Sequence, residues 1–249
     1  PRRQFAAGAM VPLQYGGAVP QVAETYAFLW SQNVGVPFGD GYLNEWGVAI
    51  VSDGCPTGES SDDGIVDGGI GYMLRRLVAE RAATARAGVE IAAAVLEQVG
   101  YWDSGRTYVI ADPDEAWLLS VVHGSRWVAQ RVPDDQVVLL PNVHVIDAVD
   151  LADSASFRGS ADLIEHAVQQ GWFDPDAGAP FSFRAAYNWS NDTDARQARG
   201  QYLVSGREPD AEPLPFSVRP EAPLTVADVI SILRDSQLTA LSTEEAAVF

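Results

Sequence analysis

Residues 105–147, GRTYVIADPDEAWLLSVVHGSRWVAQRVPDDQVVLLPNVHVID, are the stretch that decides the fold. They predict four short strands, over 108–111, 116–122, 127–132 and 137–140, because these runs are rich in Val, Leu, Tyr and Trp with partial alternation. The intervening DPDE, HGS and PDD segments are turn sequences, in which proline fixes φ, glycine accepts positive φ and aspartate bonds nearby backbone. The stretch therefore predicts a half-buried antiparallel sheet.

The last predicted strand ends in Pro141 and Asn142, which place a polar amide at a strand exit. Chemistry often occurs at such exits, because the sheet fixes the position of the residue while the loop gives access. An asparagine after proline is also suited to a turn in which its side chain bonds its own backbone. From the residues alone the turn interpretation of Asn142 is favoured.

The flanking sequence adds strands on one side and helices on both sides. A strand over 25–30 is predicted to join a strand over 48–52 through a hairpin turn that contains Asn44 and Glu45. Apolar residues at helical spacing predict helices in the segment from 65 to 100, with Thr84 as the N-cap of the second.

The ends of the chain are predicted to be less regular. Residues 1–20 form a loop, 161–170 a short helix, and 206–249 a proline-rich connector followed by a helix that starts at Thr225. The whole is interpreted as one domain over 1–249, with a core at about 20–205 and truncation at its N-terminus.

Composition narrows the class of protein. The 249 residues carry a net charge of −18, and all 16 basic residues are Arg, so neither nucleic acid nor a membrane is expected as a partner. No apolar run is long enough to span a bilayer, which predicts a soluble globular protein. The absence of a signal peptide at Pro1 says little about the compartment, which stays unknown, with the cytoplasm favoured over secretion. One cysteine, Cys55, and three histidines without ligand spacing predict no disulfide, metal or cofactor.

Several motifs together resemble a known family. They are NEWG at 44–47, ADPDEAW at 111–117, RWVAQRVPDD at 126–135, GWFD at 171–174 and PFSVRP at 215–220. In order and spacing they are similar to the dipeptidases of the N-terminal-nucleophile (Ntn) cysteine hydrolases, which are related to choloylglycine hydrolase and penicillin V acylase. The resemblance covers most of residues 20–235.

The resemblance implies an α+β fold, the αββα sandwich of two antiparallel sheets between helical layers. It implies hydrolysis of the amide bond of small peptides by an N-terminal cysteine, whose own α-amino group serves as the base. This chain starts at Pro1, so the nucleophile is expected on a segment that precedes it, and the chain alone is expected to be inactive. Cys55 falls in a loop away from the nucleophile position and is interpreted as an incidental thiol.

The resemblance also assigns site residues. Asn142 is expected to donate its side-chain N–H to the oxyanion, and the backbone at Gly54 to complete the oxyanion hole. Asp53 is expected near the substrate, and Arg199 to steady the site. Asn44 and Glu45 are expected either to orient the substrate amine or to form the hairpin turn, and the turn is favoured.

Two alternatives remain. The first alternative to the dipeptidase is a non-catalytic relative that acts as a binding or scaffold protein. The second is another Ntn hydrolase of linear amides. The expected partners are a small peptide substrate, further copies in a homo-oligomer, and a companion N-terminal segment.

Overall fold

The computed structural model describes residues 1–32, 34–35, 38–189 and 195–238. Its centre is a seven-stranded sheet in which every neighbouring pair is antiparallel. The strands, which follow one another across the sheet in chain order, are β5 (Phe28–Ser31), β6 (Gly41–Asn44), β7 (Ala49–Gly54), β8 (Tyr101–Ala111), β9 (Ala116–Gly124), β10 (Trp127–Arg131) and β11 (Phe157–Gly159).

The predicted turns are present, and side chains hold them. Between β6 and β7, Asn44 Oδ1 accepts from the amides of Trp46 and Val48 at 2.9 and 3.0 Å. Between β8 and β9, Asp112 Oδ1 accepts from the amides of the two residues that end the turn, at 2.8 and 2.9 Å. Gly124, with φ of 91°, supplies the left-handed conformation between β9 and β10. Local sequence thus fixes the register of the sheet.

Two helices cover one face of the sheet, here called the helix face. They are α1 (Met73–Arg81) and α2 (Ala85–Val99). As predicted, Thr84 caps α2, accepting from Ala87 N at 3.1 Å. Leu77 and Leu96 are fully buried against Ile110 and the rest of this core, and each large side chain stabilises the fold by about 1.5–3 kcal/mol.

The opposite face, here called the open face, is covered only in part. Residues of the segment between β10 and α5 pack over β9–β11, including α3 (Leu163–Gln169) and α4 (Phe183–Tyr187), while an exposed 3₁₀ helix (Pro175–Ala177) lies between these two helices in the chain. Over β6–β8 this face instead borders a groove of about 470 Å³. The groove, here called the open groove, has an apolar floor of Leu43, Ala49, Val51, Val109 and Ala111.

Smaller elements complete the described structure. Two ribbons pair β1 (Arg3–Gln4) with β4 (Glu24–Thr25) and β2 (Met10–Pro12) with β3 (Ala18–Pro20). Near the C-terminus lie α5 (Ala195–Ser205) and α6 (Val226–Leu233), and α6 has the predicted capping box of Thr225 and Asp228. In the part of the chain that is described, no helix is both long and apolar enough to cross a membrane.

Several expectations about strands were wrong. Of the strand predicted over 137–140, only Val137 pairs, in an isolated bridge with Val218, because the edge of β10 is already occupied by β11. The strand predicted over 25–30 is interrupted where Tyr26 N donates to Glu80 O and Ala27 N donates to Glu45. Residues 1–20, predicted as a loop, contribute strands to both ribbons.

The fold class is confirmed at its coarser level, a mixed structure of helices and antiparallel sheet. The described residues contain one large sheet and two small ribbons rather than two facing sheets. The αββα sandwich therefore remains a proposal, and the open groove is where a second sheet would have to lie.

Candidate functional site

The exit of β7 is where the predicted site residues meet. Side chains alternate along a strand, so Val51 and Asp53 point to the open face while Ile50 and Ser52 point to the helix face. Asp53 lies opposite Thr107 on β8, and Gly54 lies opposite Arg106. The end of β7 thus extends the line of the open groove with a carboxylate.

Asn142 reaches this strand exit from the loop after β10. Its Nδ2 donates to Asp53 Oδ1 and, at 3.1 Å, to Gly54 O, and its Oδ1 accepts from Arg196 Nη1 at 3.0 Å. We call these four residues the strand-exit cluster. The structure therefore brings Asn142, Asp53 and Gly54 together, as the sequence predicted, although they are 88 or 89 positions apart.

Burial shifts the pKa of the one carboxyl group in this cluster, Asp53. It raises the pKa of Asp53 to about 6, against the opposing influence of Arg196, Arg106 and the hydrogen bonds from Gly54 and Asn142. A carboxyl group in this range changes its charge just below neutral pH. The hydrogen bond from Asn142 is therefore made to an acceptor whose charge depends on pH.

Two further guanidinium groups flank the strand exit on the helix face. Arg75 and Arg106 both donate to Ser52 Oγ, at 2.9 and 3.2 Å, and Arg106 also donates to Tyr101 OH at 3.1 Å. Only 1% of Arg75 is exposed, and this burial lowers its pKa. Each guanidinium also has a carboxylate nearby, Asp40 at 3.9 Å from Arg75 and Asp103 at 3.8 Å from Arg106.

Behind the cluster lies a buried set of small polar groups. Thr107 Oγ1 is 2.8 Å from Ser120 Oγ, 3.1 Å from His144 Nδ1 and 3.4 Å from Cys55 Sγ. Burial lowers the pKa of His144 to about 3 and raises the pKa of Cys55 to about 12, so the imidazole is neutral and the thiol protonated. Cys55 is buried and unsuited to attack a substrate, as the sequence interpretation held.

The structure separates Asn44 and Glu45 from the strand-exit cluster. They lie at the opposite end of β7, where buried Asn44 donates to Ala79 O and Ala82 O at 3.1 and 2.7 Å and so joins the hairpin to the end of α1. Glu45 pairs with Arg2 at 2.8 Å. The structure therefore does not bring either residue to the strand-exit cluster, and the favoured turn interpretation agrees with their contacts.

Arg199 is also placed elsewhere. Its Nη2 lies 2.7 Å from Asp235 Oδ2, and its guanidinium is 5.3 Å from the ring of Tyr202. The arginine that bonds Asn142 is Arg196, three positions earlier in α5. The sequence interpretation selected Arg199, and no local pattern distinguishes the two arginines. Arg106 and Arg75 had no sequence signal, since their approach to Ser52 depends on pairing across the sheet.

Among the residues that the structure describes, no group of three or more His, Cys, Asp or Glu side chains is arranged to hold a metal ion.

Comparison with known proteins gives consistent matches. The sequence model of peptidase family C69 matches residues 57–240. A dipeptidase of Bifidobacterium longum is 28% identical over 200 residues, which are 71% of this chain and 37% of that protein. Dipeptidase A of Lactobacillus helveticus is 27% identical over 151 residues, which are 57% of this chain and 31% of that protein. The chain spans about a third of the length of these relatives.

A more distant likeness is found among solved structures. Penicillin V acylase from Agrobacterium tumefaciens matches 96% of this chain and 64% of its own, with a TM-score of 0.42 and 12% identity. Similarity at this level carries no argument about the arrangement of the sheets.

Proposed function

The chain belongs to peptidase family C69, and on that premise we propose that it forms most of the active site of a cysteine-type dipeptidase, which hydrolyses the amide bond of small peptides. The observation that carries the proposal is the convergence of Asn142 on Asp53 and Gly54 at the exit of β7. A side-chain amide held in position at a strand exit is suited to stabilise a developing oxyanion.

The nucleophile of this proposal is an N-terminal cysteine thiol that is not among the 249 residues. Two observations support this assignment. Cys55, the one cysteine of the sequence, is buried, and its raised pKa keeps it protonated. The curated relatives are also about three times as long as the matched region, which leaves most of their length to supply other parts of the site.

The open groove offers a path for the segment that would carry this thiol. Its apolar floor lies on the same face of the sheet as Asp53, which is two positions beyond Val51 along β7. An extended segment that packed on Val51 and Val109 would cover apolar surface and bring its end to Asn142. Such packing would also form the second layer of the proposed αββα sandwich.

The proposed chemistry runs in two steps. The α-amino group takes the proton of the thiol, and the thiolate attacks the peptide carbonyl, whose oxygen becomes an oxyanion held by Asn142 Nδ2. The protonated amine then gives its proton to the leaving amine, which leaves a thioester. Water then attacks the thioester and gives one proton to the α-amino group. The acid leaves, and the α-amino group returns that proton to the thiolate.

Arg196 has a positioning role in this scheme. Its Nη1 holds Asn142 Oδ1 at 3.0 Å, so the amide is oriented with Nδ2 toward β7. One N–H of Asn142 must turn from its present acceptor to the substrate oxygen. Asp53 becomes the more easily released acceptor as pH falls below about 6, because protonation of its carboxylate weakens the hydrogen bond from Asn142.

The test uses the full natural polypeptide that contains these 249 residues. It is assayed against a panel of dipeptides, and mass spectrometry of the quenched reaction locates the acyl group. We expect turnover and a thioester on a cysteine outside residues 1–249. A dipeptide that binds without turnover would instead favour the binding or scaffold alternative, and an acyl group on Cys55 would contradict the proposed site.

A further inference from the structure

A second cavity lies on the other side of the sheet from the strand-exit cluster. It has a volume of about 340 Å³ and is bordered by β5, the turn at 38–39 and the start of α1. Tyr42, in its wall, pairs with Ile50, whose side chain belongs to the helix-face core. Since Asp53 is three positions further along β7, its side chain points to the opposite face. We call this cavity the aromatic pocket.

Five aromatic rings form its two walls. On the sheet side, the Phe28 ring lies 5.7 Å from Trp30 and 5.5 Å from Tyr42. On the helix side, Phe38 and Tyr72 stack at 4.3 Å with 23° between their planes. Trp30 is 54% exposed even though it is the largest side chain of the pocket. Aromatic walls around a partly open space favour a flat apolar ligand.

Two guanidinium groups line the same space. Arg76 donates through Nε to Glu80 at 2.7 Å, which leaves the donors of its two Nη groups for other partners. The guanidinium of Arg3, which is exposed on β1, makes no hydrogen bond or ion pair within the described part of the chain. No Asp or Glu is among the described residues that line the pocket. The lining is therefore cationic on a chain whose net charge is −18.

From this combination we propose that the aromatic pocket binds a small aromatic carboxylate. The ring of the ligand inserts between the aromatic walls, and its carboxylate accepts hydrogen bonds from Arg76 and Arg3. Because the described residues of the lining include no acidic group, ligands that also carry an ammonium group, such as free aromatic amino acids, are disfavoured. The volume is at the lower end of the range for small-molecule sites, which fits one ring and a short acid. This proposal is independent of the proposed peptidase function.

Calorimetric titration of the 249-residue chain at pH 7 tests the proposal, with 3-phenylpropionate as the probe. We expect one site with a dissociation constant of about 1 mM or tighter. Three analogues separate the contributions: 3-phenylpropanamide removes the charge, 3-cyclohexylpropionate removes the aromatic ring, and L-phenylalanine adds an ammonium group. The amide and the amino acid should bind about tenfold more weakly, and the cyclohexyl acid several-fold more weakly.

Variants then locate the site. Arg76→Gln and Arg3→Gln should each weaken 3-phenylpropionate binding about tenfold or less, and the double variant should weaken it further. The affinity for 3-phenylpropanamide should be the same in these variants as in the original chain. Trp30→Leu should weaken the acid and the amide alike. Arg2→Gln is the matched control, because Arg2 precedes Arg3 but is engaged by Glu24 and Glu45 outside the pocket.

Circular dichroism of each variant checks that the fold is kept, which is expected because Arg3 and Trp30 are exposed and Arg76 is partly exposed. Equal affinity for the acid and the amide would overturn the proposal. Unchanged binding of 3-phenylpropionate in the Arg3→Gln, Arg76→Gln double variant would also overturn it. So would an Arg2→Gln variant that binds as weakly as Arg3→Gln, or no heat of binding up to about 20 mM ligand.

Discussion

The two faces of the central sheet differ in how completely they are closed. The helix face buries Leu77, Leu96 and Ile110 fully under α1 and α2. The open face is closed over β9–β11, but over β6–β8 it keeps the open groove with Val51 and Val109 only partly buried. The candidate active site lies at the exit of β7, where Asp53 follows Val51 of the groove floor by two positions on the same face. The difference indicates that one face serves stability, and the other is available for substrate and for further polypeptide.

The largest effect expected from this difference is on stability. Leu77→Ala on the helix face should lower the free energy of unfolding by about 2–5 kcal/mol, because it leaves a cavity in a fully enclosed core. Val51→Ala on the open face should cost about 1 kcal/mol or less, since its side chain already contacts solvent. Urea denaturation of the two variants measures both values, and equal losses would contradict the distinction between the faces.

The buried imidazole behind the site should make the open face sensitive to acid. Burial lowers the pKa of His144 from 6.5 to about 3, so the folded chain binds fewer protons than the unfolded chain in this range. Its contribution to stability is present above pH 6.5 and is lost as pH falls toward 3, by up to about 4 kcal/mol. Unfolding of the parent chain and of His144→Gln, compared from pH 7 to 4, should show a difference that shrinks with acidity. A constant difference would argue against a buried neutral His144.

Asp53 should show the opposite pH dependence. Burial raises its pKa from 3.8 to about 6, so its contribution to stability is fully present below pH 3.8 and is lost as pH rises through about 6. Asp53→Asn should therefore gain stability relative to the parent chain between pH 4 and 7, by about 1–2 kcal/mol after allowance for solvent screening. Thermal unfolding at both pH values measures the change, and a relative loss for Asp53→Asn at pH 7 would refute the raised pKa.

The smallest stability effects are expected at the two arginines of α5, which make a matched pair. Arg199→Gln removes the ion pair with Asp235, which should cost about 1 kcal/mol or less and leave turnover by the full polypeptide unchanged. Arg196→Gln should lower kcat about tenfold with little change in KM, because Asn142 loses the partner that orients its amide. Greater loss of turnover in Arg199→Gln than in Arg196→Gln would restore the assignment made from the sequence.

Local patterns predicted the parts of the fold that local interactions decide. The turns at Asn44 and Asp112 and the cap at Thr84 follow from side chains that bond backbone within four residues. The strand predicted over 137–140 was wrong because a later segment, β11, takes the edge of β10. Competition between distant segments for one sheet edge leaves no local trace in the sequence.

The candidate site was also predicted only in part. Asn142, Asp53 and Gly54 lie together as the family resemblance implied. The choice between Arg196 and Arg199 depends on how α5 is rotated against the loop that carries Asn142. Arg75 and Arg106 converge on Ser52 only because α1 and β8 both approach the same strand. The aromatic pocket combines residues from β1, β5, β6 and α1, and no single motif contains it.

The most direct test of the central claim is the turnover number of the full polypeptide when Asn142 is replaced by Ala. If the amide of Asn142 stabilises the oxyanion, kcat should fall about 10²–10³-fold, with KM nearly unchanged and the chain still folded. Cys55→Ser, measured beside it, should keep full kcat. An Asn142→Ala enzyme with the parent kcat would contradict the placement of the active site at the exit of β7.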